Sequence, residues 1–72
     1  MKNLKVLRQQ RGLTQLALQM KTGIDQAIIS KYESGERMPT VENLMLLADF
    51  FDTSLDYLMG RTDQPKPYRS SR

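Results

Sequence analysis

The sequence predicts a small all-α domain of five helices. Its four glycines each follow a stretch with helical apolar spacing, where a left-handed C-terminal cap favours glycine: Gly12, Gly23, Gly35 and Gly60. No segment shows the strict apolar alternation of a strand, no Asn-Gly or Asp-Gly pair marks a hairpin, and no internal repeat is present. Seventy-two residues leave room for one small domain, so a two-domain enzyme is excluded.

Capping side chains mark where the helices begin. Thr14, Asp25 and Thr40 each stand directly before a helical pattern, where their oxygens accept hydrogen bonds from the first turn. A last short helix follows Thr53 or Ser54. Together with the glycines, these signals predict helices at about residues 2–11, 15–21, 26–34, 41–51 and 54–59.

The chain changes character after residue 60, because the apolar periodicity ends and two prolines disfavour a helix. We therefore expect a folded domain over residues 1–60 and a flexible basic tail over residues 61–72. Tyr68 is the only large apolar side chain in that tail.

The composition excludes several kinds of catalytic site. The chain has no cysteine and no histidine. This removes disulfides, Cys/His zinc sites and nucleophile systems that depend on histidine, together with the commonest general base. We expect no enzymatic activity, no cofactor and no bound metal.

The charges are separated along the chain. The net charge is +3, which favours a polyanionic partner only weakly, but residues 1–12 carry four basic side chains and no acid. Residues 39–60 carry four acids and no base. The longest apolar run, residues 44–48, is too short for a membrane span or an export signal. We expect a cytoplasmic protein with no membrane partner.

The third helix has an inner and an outer face. Successive residues 100° apart place Ile29 and Tyr32 on one side. The small and polar residues lie on the other side: Ala27, Ser30, Lys31 and Ser34. Such a face fits closely into a DNA groove, and Gln26 in the first turn has the paired donor and acceptor that read an adenine edge. An ordinary solvated face is the alternative.

An ion pair between Arg8 and Glu33 is expected to join the first and third helices. The same projection places Glu33 beside Ile29, toward the interior, where an unpaired carboxylate is costly. Arg8 lies next to the inward Leu4 and Leu7 of the first helix. Both charged residues are then structural, and Arg8 is not counted as a nucleic-acid contact.

A series of residues spread over most of the chain carries a family resemblance. The series comprises Leu7, Arg8, Leu13, Thr14, Gln15, Leu18, Gly23, Ile24, Asp25, Gln26, Ile29, Ser30, Lys31, Tyr32, Glu33, Gly35, Pro39 and the closing residues 55–60. Over residues 1–60 the chain resembles the Cro and phage-repressor-like helix-turn-helix family of bacterial and phage transcription regulators. The resemblance implies a lambda-repressor-like domain whose third helix enters the DNA major groove, and a homodimer that reads two half-sites one helical turn apart.

The resemblance also implies roles for single residues. Gln15, at the start of the second helix, matches a phosphate-contacting position. The recognition-helix positions that face bases or nearby phosphates are matched by Gln26, Ala27, Ser30 and Lys31. Ile28 lies at the edge of that face, where it either touches a thymine methyl group or covers the second helix.

Ser34 and Arg37 match the loop after the recognition helix, which contacts the DNA backbone in the family. The alternative for Arg37 is an ordinary solvated charge. The chain departs from the family at Gln19, where alanine is usual and the second and third helices come close. Gln19 must either point along this interface or hydrogen-bond across it, which affects the crossing angle and the base register.

A possible dimer interface is suggested by the fourth helix. Leu46 and Phe50 project opposite its core-facing residues, one turn apart. Together with Tyr57 or Met59, they are candidates for a two-fold interface. The alternatives are that they are ordinary surface residues or are covered by Tyr68.

The function that we predict is a sequence-specific transcription regulator on double-stranded DNA. We expect a repressor that acts as a homodimer on an inverted-repeat operator. The alternative is a protein-interaction module, such as an antitoxin or a regulator neutralised by a protein partner.

Overall fold

The computed structural model describes residues 1–67, which form five α-helices and no strand, so the predicted all-α fold is confirmed. The helices are α1 (Leu4–Gln10), α2 (Gln15–Thr22), α3 (Gln26–Ser34), α4 (Val41–Phe51) and α5 (Leu55–Met59). None of these helices combines the length and the apolar character that crossing a membrane requires.

Helix α1 begins two residues later than predicted, and Asn3, the residue before it, is bonded to α5. The backbone N–H of Asn3 donates to the carbonyl of Leu58 at 3.2 Å, and its side-chain Nδ2 donates to the carbonyl of Tyr57 at 2.7 Å. These two bonds draw the start of the chain to the end of the domain.

The helix ends follow the predicted capping signals. The side chains of Thr14, Asp25 and Thr40 each accept a hydrogen bond from a first-turn N–H of the helix that follows. Gly23 and Gly35 close α2 and α3 with φ angles of 81° and 83°. No such signal marks the end of α4 in the sequence; here Asp52 adopts a φ of 52° and serves as the cap.

One apolar core holds the five helices together. Each helix contributes one side chain with no solvent exposure, and these are Leu4, Leu18, Ile29, Leu47 and Leu58. Tyr32 of α3 is also buried, and its hydroxyl accepts a hydrogen bond from Nδ2 of Asn43 in α4 at 2.9 Å. The inner side of α3 is therefore fixed by both packing and a polar contact.

Residues 61–67 form no helix or strand. The hydroxyl of Thr53, which is buried, donates to the carbonyl of Pro65 and so attaches this segment to the end of α4. Tyr68 and the rest of the expected tail lie outside the described residues.

Arg8 and Glu33 form an ion pair with two hydrogen bonds between the guanidinium and the carboxylate. Nε of Arg8 lies 2.6 Å from Oε2 of Glu33, and Nη2 lies 3.1 Å from Oε1. Nη1 of Arg8 donates to the carbonyl of Leu13 at 2.7 Å, and Nε2 of Gln15 donates to Oε1 of Glu33 at 3.0 Å. The hydrogen bond to Glu33 is the main reason that the pKa of Arg8 is raised; the nearby negative charge adds to it, and burial opposes it.

Replacing Glu33 by alanine is expected to lower the free energy of unfolding by roughly 3 to 5 kcal/mol, because it leaves the buried Arg8 without its counter-ion. Urea titration followed by circular dichroism measures this change. The matched control is Glu36→Ala, which removes an exposed carboxylate three residues further on and should cost less than about 0.5 kcal/mol. Equal stability of Glu33→Ala and the parent would show that the pair does not hold the fold.

Candidate nucleic-acid interface

Helices α2 and α3 are joined by a tight turn over residues 23–25. Gly23 ends α2 in the left-handed conformation, and Asp25 begins α3 by accepting from the N–H of Ala27 at 3.0 Å. Between them, the side chain of Ile24 is buried in the core. The two helices are therefore held in a fixed relation by a connection with little freedom.

The outer side of α3 carries the residues that the sequence predicted. Ile29 and Tyr32 are buried, whereas the opposite residues are exposed, and these are Gln26, Ala27, Ser30, Lys31 and Ser34. Within residues 1–67, the side chains of Gln26 and Lys31 make no hydrogen bond. Their polar groups are available to a partner molecule.

Exposed charges of both signs lie on and beside α3: Lys31 and Arg37 are basic, and Asp25 and Glu36 are acidic. Lys31 is exposed on α3, and Arg37 is exposed in the loop that follows. The carboxylate of Glu33 is turned inward and paired with Arg8, with only 6% of its side chain exposed. Glu36 is the exposed acid of this loop.

A depression of about 200 Å³ lies where α1, α2 and α3 meet, lined by Lys5, Gln15, Ser30, Glu33 and Ser34. Here Gln15 is half-buried, and its Nε2 is already bonded to Glu33. An amide nitrogen carries two hydrogens, so Gln15 retains one donor and its carbonyl oxygen for another partner.

The hydroxyl of Ser34 is used within the protein. It donates to the carbonyl of Lys31 at 3.1 Å and accepts from the N–H of Glu36 at 3.3 Å. Since a hydroxyl has one hydrogen, Ser34 can donate to a phosphate only by giving up the bond to Lys31. Its structural role in closing α3 was not predicted from the sequence.

Ile28 is half-buried and packs against the core. Part of the side chain is still exposed, so both expected roles, covering α2 and touching a thymine methyl group, stay predictions.

Gln19 makes a hydrogen bond between the two helices. Its Oε1 accepts from the backbone N–H of Gln26 at 2.7 Å. Of the two arrangements expected for this departure from the family, the structure has the bond across the interface. The acceptor is a side chain and the donor is backbone, so no residue pattern in the sequence indicates this pairing.

Phe50, which the helical projection placed opposite the core-facing residues of α4, is partly buried and packs against the core. Its ring is half-buried and packs edge-on against the ring of Phe51, with centroids 4.9 Å apart. The guanidinium of Arg11 lies 5.6 Å from the Phe50 ring centroid and donates to the carbonyls of both phenylalanines. Arg11 thus binds the end of α4 to α1, a contact that the sequence did not reveal.

The other interface candidates differ in exposure. Leu46 is 41% exposed. Tyr57 and Met59 are half-buried and pack against the core. Five other apolar side chains are more exposed than Leu46, namely Met20 at 78%, Val41 at 72%, Met38 at 70%, and Leu16 and Met45 at 53% each.

In the described part of the chain, no three residues of the histidine, cysteine, aspartate or glutamate types come together in a way that could hold a metal ion. All buried side-chain nitrogen and oxygen atoms in this part have a hydrogen-bond partner.

A helix-turn-helix family model matches residues 4–58. This match covers more than half of the chain and includes α2, the turn and α3. The chain belongs to the helix-turn-helix family, and the resemblance found in its sequence is confirmed.

Several bacterial and phage regulators are similar to this chain. The HTH-type transcriptional regulator YobD of Bacillus subtilis is 38% identical over 64 residues, covering 89% of this chain and 57% of the relative. The cryptic phage CTXphi transcriptional repressor RstR of Vibrio cholerae is 46% identical over 48 residues, covering 67% and 43%. The HTH-type transcriptional regulator y4dJ of Sinorhizobium fredii is 38% identical over 58 residues, covering 81% and 75%.

The chain spans about half the length of the first two of these relatives. No solved structure matches it significantly.

Proposed function

We propose that this chain is a sequence-specific DNA-binding transcription regulator that acts as a homodimeric repressor on an inverted-repeat operator. The observation that carries the proposal is the outer side of α3, which is exposed, small and polar and has free hydrogen-bonding groups on Gln26 and Lys31. A helix with such a face fits the width of the major groove.

The residues of α3 have complementary roles in this proposal. Ala27 and Ser30 are small, so the helix backbone can approach the floor of the groove. Gln26 offers its amide to an adenine edge, while Lys31 contacts a base or a phosphate. Arg37 and the remaining donor of Gln15 contact the DNA backbone on either side.

Repression is supported by the similarity to RstR, which is named a transcriptional repressor. A regulator of this kind acts by occupying its operator, with no chemistry on the DNA.

A second candidate function is a protein-interaction module, such as an antitoxin or a regulator neutralised by a protein partner. The exposed side chains of Met38, Val41 and Met45 favour it, because large exposed apolar groups are typical of protein contacts.

Selection from random duplex DNA with the purified protein distinguishes the two functions. The proposal predicts enrichment of an inverted repeat whose half-sites are one helical turn apart. Gln26→Ala should relax the preference at one base pair by roughly 1 to 3 kcal/mol per half-site and leave non-specific affinity unchanged. The control is Gln9→Ala, which replaces an exposed glutamine on α1 and should enrich the same DNA sequence as the parent protein. No enrichment with the parent at low salt would favour the protein-interaction module.

The affinity for DNA should fall steeply with salt, since each neutralised phosphate adds roughly 0.9 to the logarithmic salt slope. Lys31→Ala should flatten this slope by about one unit per subunit if Lys31 contacts a phosphate. If Lys31 contacts a base, the slope stays and discrimination at one base pair is lost. Fluorescence anisotropy titrations at several salt concentrations measure both, and a variant with neither change places Lys31 outside the interface.

Leu46 is the most exposed member of the proposed dimer surface, with Phe50, Tyr57 and Met59 at its edge. Leu46→Ser should weaken dimerisation in sedimentation and operator binding together, with little change in the thermal melt. Phe50 is unsuitable for this test, because its replacement also disturbs Arg11. Met20→Ser, which alters an exposed apolar residue on α2, should dimerise like the parent. Parent-like dimerisation of Leu46→Ser would move the interface elsewhere.

A further inference from the structure

Helix α3 is held near both ends by glutamines from α2. Gln15 donates to Glu33 in the last turn of α3, and Gln19 accepts from the N–H of Gln26 in its first turn. Gln15 and Gln19 are four residues apart, so both lie on the side of α2 that faces α3.

The bond from Gln19 differs from the other helix caps. The first N–H groups of a helix have no partner within the helix. In α2, α4 and α5 the side chain that accepts from such a group belongs to the residue directly before the helix. In α3, Asp25 provides such a cap for Ala27, and Gln19 provides a second one for Gln26 from a neighbouring helix.

We propose that Gln19 is a positioning residue that determines which base pair Gln26 addresses. This inference rests on the proposed function of α3 in DNA reading. Gln19 holds the backbone nitrogen of the same residue whose free side chain faces outward. In a bidentate amide contact, both hydrogen bonds must stay within a few tenths of an ångström of their usual lengths. A small displacement of the Gln26 backbone is therefore enough to lose the contact.

The hydrogen bond between Gln19 and Gln26 affects the position of the first turn of α3 more than it affects the stability of the domain. It lies at an exposed place, where the net contribution of one hydrogen bond is small. The fold of α3 is secured elsewhere, by the buried side chains of Ile29 and Tyr32 and by the Arg8–Glu33 pair. Loss of the Gln19 bond therefore frees the first turn without unfolding the domain.

Two variants of Gln19 separate the acceptor from the bulk of the side chain. Gln19→Met has a similar length but no oxygen, whereas Gln19→Glu keeps an oxygen that can accept the same bond. Gln9→Met makes the same exchange at an exposed position on α1 and serves as the control.

Amide hydrogen exchange of Gln26 in the free protein tests the bond without DNA. The exchange rate should rise roughly 2- to 10-fold in Gln19→Met, and should stay at the parent value in Gln19→Glu and Gln9→Met. An unchanged rate in Gln19→Met would overturn the inference, because the bond would then not hold the first turn.

Selection on duplex DNA tests the consequence for reading. In Gln19→Met the preference at the base pair read by Gln26 should fall by roughly fivefold or more, while the melting temperature and non-specific affinity stay near the parent values. Gln19→Glu should retain the parent preference. A parent-like preference in Gln19→Met overturns this inference alone. No enrichment with the parent protein overturns the proposed function, and this inference with it.

Discussion

An inward-facing carboxylate on α3 requires a positive partner, and the guanidinium of Arg8 supplies it. Three of the Arg8 nitrogens are bonded, two to Glu33 and one to the carbonyl of Leu13, and Gln15 adds a further donor to the same carboxylate. Because a lone buried charge is far more costly than a paired one, α1, the start of α2 and the end of α3 can adopt only arrangements that keep these groups together. The placement of α3 depends on this contact.

The pair also influences the surface that α3 presents. It removes the negative charge of Glu33 from the outer side, so Lys31 is left as the charged group among the exposed residues of that helix. The buried Ile29 and Tyr32 fix the middle of α3, and glutamines of α2 are bonded near both of its ends. A polar face on a helix restrained in this way is already ordered before a partner binds. This lowers the conformational-entropy cost of binding.

The features that were predictable from the sequence have local signals or a strong physical requirement. Capping residues such as Asp25 mark helix ends within a few positions, and the helical projection of Glu33 demands a partner that Arg8 alone provides nearby. The contact of Arg11 was missed, because it joins residues far apart in the sequence to backbone groups, which leave no pattern of residue types. Arg11 reaches two carbonyls at the end of α4. For Gln19 the sequence left two arrangements open, and the bond to the backbone N–H of Gln26 is one of them. Projection of an isolated helix could not choose between the two.

Amide chemical-shift mapping by NMR tests most directly whether this restrained face of α3 is the surface that contacts DNA. The isotope-labelled protein is titrated with the duplex that selection enriches, and the shifts of all amides are followed. We expect the largest changes over residues 26–31 and in the loop at Arg37, with small changes at the exposed acids Glu42 and Asp49 of α4. Large changes along α4 with none over residues 26–31 would contradict it.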